Sequence, residues 1–264
     1  MNRASWVLLR GLTREARHWG AFPDLLRSTL PDVRVLTPDL PGNGCRWRER
    51  SPSRIEAMVE DVRQILRMKE ASPPYYLLGL SLGAMVAAAW SHAWPREVAG
   101  AVLASTSLAT LSPLHQRLRP ANFALLPLLL AGPLRWREAS ILRLTSARPG
   151  EHRQVLAAWE AWRRECPVSA TNALRQLLAA ARCRVPADIP ATPMLVLAGA
   201  RDRLVDPVCS EDLAHAWNAP LVICDNAGHD LPLDAGPWMA ECIREWLVTR
   251  PRQPVAGSDT RSAG

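Results

Sequence analysis

Tyr75-Tyr76-Leu77-Leu78-Gly79-Leu80-Ser81-Leu82-Gly83-Ala84-Met85-Val86-Ala87-Ala88-Ala89 joins a short apolar run to an alanine-rich one through a serine between two glycines. The first part reads as a strand and the last as a strong helix, so Ser81 falls in a tight strand-to-helix turn. Small residues at Gly79 and Gly83 let neighbouring backbone pass close to that turn, and the helix N-terminus beneath it favours developing negative charge. A plainer reading is an ordinary glycine-containing loop in which the serine caps the helix. Similar apolar runs recur at Trp6–Leu9, Val33–Thr37, Val98–Ala104, Met194–Ala198 and Leu221–Cys224. Their hydrophobicity is continuous rather than alternating, which predicts strands buried on both faces of a parallel sheet. Helical spacing lies between them at Arg54–Lys69, Leu82–Ala93, Ser210–Trp217 and Trp238–Val248. The alternation predicts an α/β fold with a doubly wound, mostly parallel sheet.

The rhythm breaks between about Leu108 and Ile189, where Leu134–Thr145, Gly150–Cys166 and Val168–Cys183 read as helices bounded by Pro, Gly, Ser or Thr. A helical insert between two parallel strands belongs above the strand C-termini, where open α/β sheets bind ligands. The expected organisation is therefore a core of residues 1–108 and 190–249, a helical cap insertion at 109–189 and a flexible tail at 250–264. The most lipid-like stretch, Ala121–Leu134, is interrupted by Pro127 and Pro133 and is shorter than the ~20 residues that span a bilayer. It reads as a buried helix or a hydrophobic lining.

Composition narrows the function classes. The net charge of +7 is spread along the chain, and its densest cluster, Arg46, Arg48, Arg50 and Arg54, is interrupted by Glu49. No nucleic-acid module accompanies it, so a solvated loop is expected and no nucleic-acid partner. The six cysteines are far apart and form no Cys-x-x-Cys pair or His/Cys run, which predicts reduced thiols and no metal site. Trp6–Leu9 is too short for a signal-peptide core, so a cytoplasmic protein without membrane insertion is expected. No G-x-G-x-x-G follows the first strand, and Lys69, the only lysine, lies outside any phosphate-loop motif, so no cofactor is implied.

With 14 glycines in 264 residues, chance supplies a G-x-S-x-G match about 0.04 times per chain. A serine hydroxyl becomes a competent nucleophile only when a base takes its proton, so an oriented histidine is required. Asp202 lies in the loop after the Met194 run, and His229 in the loop after the Leu221 run. The other five histidines, His18, His92, His115, His152 and His215, fall in helical or irregular segments. Plainer readings make Asp202 a helix cap and His229 a loop histidine bonded to backbone. Asp206 competes as the acid, although Pro207 behind it suggests that it starts a helix.

Together these segments resemble the α/β-hydrolase superfamily, among its small, capped, esterase-like serine members. Leu8-Leu9-Arg10-Gly11 through Trp19 is similar to that family's oxyanion loop, Asp39-Leu40-Pro41-Gly42-Asn43-Gly44 to its turn after the next strand, and Gly228-His229-Asp230-Leu231-Pro232-Leu233-Asp234 to its histidine loop. The order Ser81, Asp202, His229 is the family's order of nucleophile, acid and base. The resemblance implies an oxyanion hole made by the backbone N–H groups of Leu12 and Leu82. Arg10 departs from the family's usual His-Gly. Either its guanidinium binds an acidic group on the substrate, or it braces the loop through carbonyls or a buried carboxylate. Asp39 is expected to hold a turn, and Trp159 and Trp162 to pack a cap helix onto the core. The implied activity is hydrolysis of small to medium hydrophobic carboxylic esters through an acyl-enzyme. Acyl transfer, thioester hydrolysis, carbon-carbon cleavage and a non-catalytic ligand-binding role are the alternatives. The oligomeric state is left open.

Overall fold

The computed structural model describes residues 4–249, so the expected tail at 250–264 lies outside the described residues. Strands β1 (Ala4–Leu9), β2 (Val33–Leu36), β3 (Tyr75–Leu80), β4 (Val98–Ala104), β5 (Met194–Gly199) and β6 (Leu221–Cys224) form one sheet in the order β2-β1-β3-β4-β5-β6. Every pairing is parallel. The register sets Leu9 beside Gly79, Leu80 beside Ala104 and Gly199 beside Cys224. The loops after five strands therefore open on one edge of the sheet.

Successive residues of a strand point to opposite faces. Val7, Leu9, Leu77, Leu103 and Val196 pack with α2 (Ile55–Met68), α3 (Leu82–Ala93) and α9 (Val208–Ala216). Trp6, Leu8, Leu78, Val102 and Leu197 pack on the other face with α1 (Phe22–Thr29) and α10 (Leu231–Thr249), which kinks at Ala235 just before Pro237. This is why the central strands read as unbroken apolar runs. The edge strands differ: β2 and β6 are only half-buried, and Arg34 and Val222 face outward. An edge strand has one neighbour, so the expectation of burial on both faces fails there.

Between β4 and β5 come α4 (Leu114–Arg117), a 3-10 segment at Pro120–Leu125, α5 (Leu126–Ala131), α6 (Leu134–Thr145), α7 (Arg153–Glu165) and α8 (Ala170–Ala181). The Ser169 hydroxyl accepts the Asn172 N–H at 3.1 Å and starts α8 there rather than at Val168. Likewise α7 begins three residues after Gly150, because Pro149–Glu151 forms a separate 3-10 turn. No described helix is long and apolar enough to cross a membrane.

Candidate active site

Ser81 sits between β3 and α3 with φ 56° and ψ −117°, a left-handed conformation that non-glycine residues avoid unless their surroundings impose it. Its N–H donates to the Ala104 carbonyl at 2.9 Å. Its own carbonyl accepts from the N–H groups of Ala84 and Met85 at 3.0 and 3.1 Å, and from the Thr106 hydroxyl at 3.0 Å. Sheet and helix thus clamp the turn from both sides. A Cβ on Gly83 would stand 2.0 Å from the Leu9 carbonyl oxygen, so only glycine lets α3 begin this close to β1. On the other side, a Cβ on Gly11 would lie 3.3 Å from that of Ser81, which puts the loop after β1 directly against the serine.

Asp202, in the loop after β5, accepts at Oδ1 from the N–H groups of Leu204 (2.8 Å) and Val205 (2.9 Å). Its Oδ2 lies 2.7 Å from Nδ1 of His229, in the loop after β6. Both side chains are buried. A neutral ring that gives its Nδ1–H to Asp202 keeps Nε2 as an acceptor. Asp206 is engaged elsewhere, where its carboxylate accepts the Val208 N–H at 3.2 Å and starts α9. Ser81, His229, Gly11 and Leu12 share one cavity of about 190 Å³. Leu82, the first residue of α3, lies behind Ser81, where helix geometry leaves its N–H without an intrahelical partner. Leu126, Leu129, Leu130, Ile141, Leu144 and Leu177, all from α5, α6 and α8, also line the cavity.

Arg10 uses its guanidinium on a buried carboxylate. Nη1 and Nη2 donate to Oδ1 and Oδ2 of Asp230 at 3.1 and 2.6 Å, and the guanidinium lies 4.9 Å from the Trp19 ring centre. The fork couples the loop holding Gly11 to the residue after His229. Asp39 holds its turn as expected, accepting the N–H groups of Ala16 (2.7 Å) and Cys45 (3.0 Å).

Sequence reasoning missed a second buried ion cluster. Glu138 on α6, with no exposed side-chain surface, accepts from Arg14 Nη1 at 2.6 Å and from Arg163 Nε on α7 at 3.0 Å. Burial works against its charge, but the two guanidiniums outweigh it and hold the carboxyl below its ordinary 4.5. Arg14 lies 4.2 Å from the Trp159 ring centre, and His18 packs against both Trp159 and Trp162, so these tryptophans do dock α7 on the core loop. Burial, then the positive charge of Arg14, pushes His18 well below its usual range and keeps it neutral. Thr13 is gripped twice: its carbonyl accepts from Arg163 Nη2 at 2.8 Å, and its N–H donates to Gln176 Oε1 on α8 at 2.7 Å. One signal was available, since Glu138 shares the 3-4 spacing of Ile141, Leu142 and Thr145 and so falls on the inward face of its helix. Asp234, in the first turn of α10, is also buried. It accepts from the Ser146 hydroxyl at 2.6 Å and from the N–H groups of Ala147 and Gly228, both at 2.7 Å.

Residues 6–241 match the family model described as the alpha/beta hydrolase family. The chain belongs to that family. Solved structures similar to this alpha/beta hydrolase include an esterase from Thermogutta terrifontis, 22% identical with a TM-score of 0.73, covering 93% of this chain and 89% of that one. A 2-hydroxy-6-oxo-6-phenylhexa-2,4-dienoate hydrolase from Rhodococcus sp. strain RHA1 is 20% identical with a TM-score of 0.78 over 94% and 91% of the two chains. An enol-lactonase from Burkholderia xenovorans LB400 is 18% identical, again with a TM-score of 0.78, over 94% and 92%. At such identities the likeness is one of fold. No curated protein matches the chain.

Proposed function

We propose that the chain is a serine hydrolase that cleaves carboxylic esters of small to medium hydrophobic substrates through an acyl-enzyme. The observation that carries this reading is the strained Ser81 turn opening into the same cavity as His229, whose Nδ1 lies 2.7 Å from the buried Asp202 carboxylate. His229 Nε2 takes the Ser81 proton as Oγ attacks the ester carbonyl, and Asp202 holds the ring and stabilises the imidazolium. The N–H groups of Leu12 and Leu82 receive the oxyanion. The imidazolium then protonates the leaving alcohol, and a water activated by the same ring releases the acid. The helices between β4 and β5 act as the cap, and their leucines favour an apolar acyl or alcohol group. A cavity of about 190 Å³ falls below the ~300–1,000 Å³ of drug-sized sites, which favours compact substrates.

The test is labelling by a fluorophosphonate together with a substrate panel of graded acyl esters, thioesters and vinylogous diketones, each run on wild type and on Ser81→Ala. The expected result is labelling and ester turnover that both vanish in Ser81→Ala. Folded wild-type protein that takes no label would favour a ligand-binding role, and diketones reacting far faster than any ester would assign carbon-carbon cleavage instead.

A further inference from the structure

Ser105 follows β4 as Ser81 follows β3, one strand away. Its φ of 46° is left-handed, its N–H is tied to the Leu197 carbonyl at 2.9 Å, and the residue is 2% exposed. The residue lines the cavity, yet its hydroxyl has no hydrogen-bond partner. Buried hydroxyls are normally satisfied, and a strained one left open beside a reactive serine is a group kept for something that enters.

Arg117 is bonded to Ser107, two residues along the chain from Ser105. It is the last residue of α4, is 9% exposed, and lines the same cavity. Its Nε donates to the Ser107 hydroxyl at 3.4 Å, and Nη1 and Nη2 donate to the Ala181 and Ala180 carbonyls at 3.0 and 2.6 Å. All three acceptors are neutral. Arg10 and Arg14, also in the wall, each have a carboxylate. Arg117 has none within ion-pairing distance among the described residues. The carbonyls at the end of α8 supply only partial negative charge. A buried guanidinium without a counter-ion is costly, and a carboxylate is the group its forked donors match.

We propose that Arg117 and the Ser105 hydroxyl receive a carboxylate carried by the substrate, so that the preferred esters are half-esters of short dicarboxylic acids. This rests on Ser81 being the nucleophile and names the substrate class of that site. The apolar leucines then pack the methylene chain, and the carboxylate supplies the charge that the wall lacks.

The test is a matched pair, monoethyl adipate against ethyl hexanoate, in which a methyl replaces the carboxylate, with acid release followed in a pH-stat. Wild type is expected to favour the half-ester in kcat/KM by about tenfold or more, the scale of one charge-assisted bond. The ratio falls to about one in Arg117→Met, keeps part of its value in Arg117→Lys, and drops partly in Ser105→Ala. A wild-type ratio at or below one overturns the proposal. So does an unchanged ratio in Arg117→Met, which would mean that the guanidinium only ties down the end of α8. Should Arg117→Met fail to fold, the wild-type, Lys and Ser105→Ala ratios still decide. Calorimetric binding of the same two esters to Ser81→Ala separates this from the reaction itself. Tighter binding of the half-ester there, with no turnover by wild type, sinks the hydrolase reading and leaves the carboxylate site standing. Turnover without that preference does the reverse.

Discussion

Replacing Glu138 by Gln should destabilise the protein more than removing either arginine that faces it. The carboxylate is fully buried between Arg14 and Arg163, whose side chains are each 6% exposed. The three groups together carry one net positive charge. Glu138→Gln leaves two buried guanidiniums with no counter-charge, a loss of about 3–5 kcal/mol. Arg163→Met instead leaves a neutral Arg14–Glu138 pair and removes the bonds to Glu138 and the Thr13 carbonyl, so its expected cost is about 1–3 kcal/mol. Urea unfolding near pH 7 should therefore show a midpoint lowered by about 1 M or more in Glu138→Gln and by less in Arg163→Met. The carboxyl titrates below 4.5 when folded, so its contribution is complete above its unfolded value of about 4.3 and disappears as pH falls through the folded one. The gap between wild type and Glu138→Gln is thus widest at neutral pH and narrows as pH falls through that folded value. A cost under about 1 kcal/mol at pH 7, a gap that ignores pH, or Arg163→Met as the worse variant would refute this reasoning.

Three further outcomes are expected. Asp202→Asn should keep the fold but lower ester turnover by about four orders of magnitude, because the amide holds His229 in the wrong tautomer; a loss below tenfold would remove Asp202 from the mechanism. Arg10→Met strands the buried Asp230 carboxylate at the His229 loop, so the unfolding free energy should fall by about 3–5 kcal/mol and kcat/KM should drop by a similar factor for acidic and neutral esters alike; a loss confined to acidic esters would make Arg10 a substrate ligand. Gly83→Ala forces a methyl to 2.0 Å from the Leu9 carbonyl oxygen, and a melting temperature within about 3 °C of wild type would show that α3 is not wedged against β1 as described.

The sheet was legible because its signal is local. Six apolar runs marked six strands, and Gly79, Ser81 and Gly83 marked the turn on which the candidate site is built. Asp202 and His229 were legible for the same reason, each standing just past a strand end. Boundaries moved where caps decided them, as at Ser169 and Pro149. Helix α1 escaped notice, since Phe22-Pro23-Asp24-Leu25-Leu26-Arg27-Ser28-Thr29 is short, and it is held by Phe22 and Leu26 packing against α10 and the sheet. The ion pairs were beyond reach for a different reason. Arg14 and Glu138 are 124 residues apart, and Arg10 and Asp230 are 220 apart. Nothing in either neighbourhood encodes such a partner until the chain has folded.

The double grip on Thr13 bears on how this protein could be altered by exchange of parts. Its carbonyl is held from α7 and its N–H from α8, and the adjoining Arg14 is held from α6. The peptide beside Leu12 is therefore moulded by three helices supplied far downstream. A graft that replaced residues 109–189 with the helices of another chain would have to carry a carboxylate, a guanidinium and an amide in the places of Glu138, Arg163 and Gln176. Without them, the transplanted helices would bring a new pocket and at the same time take away the mould for the loop facing Ser81.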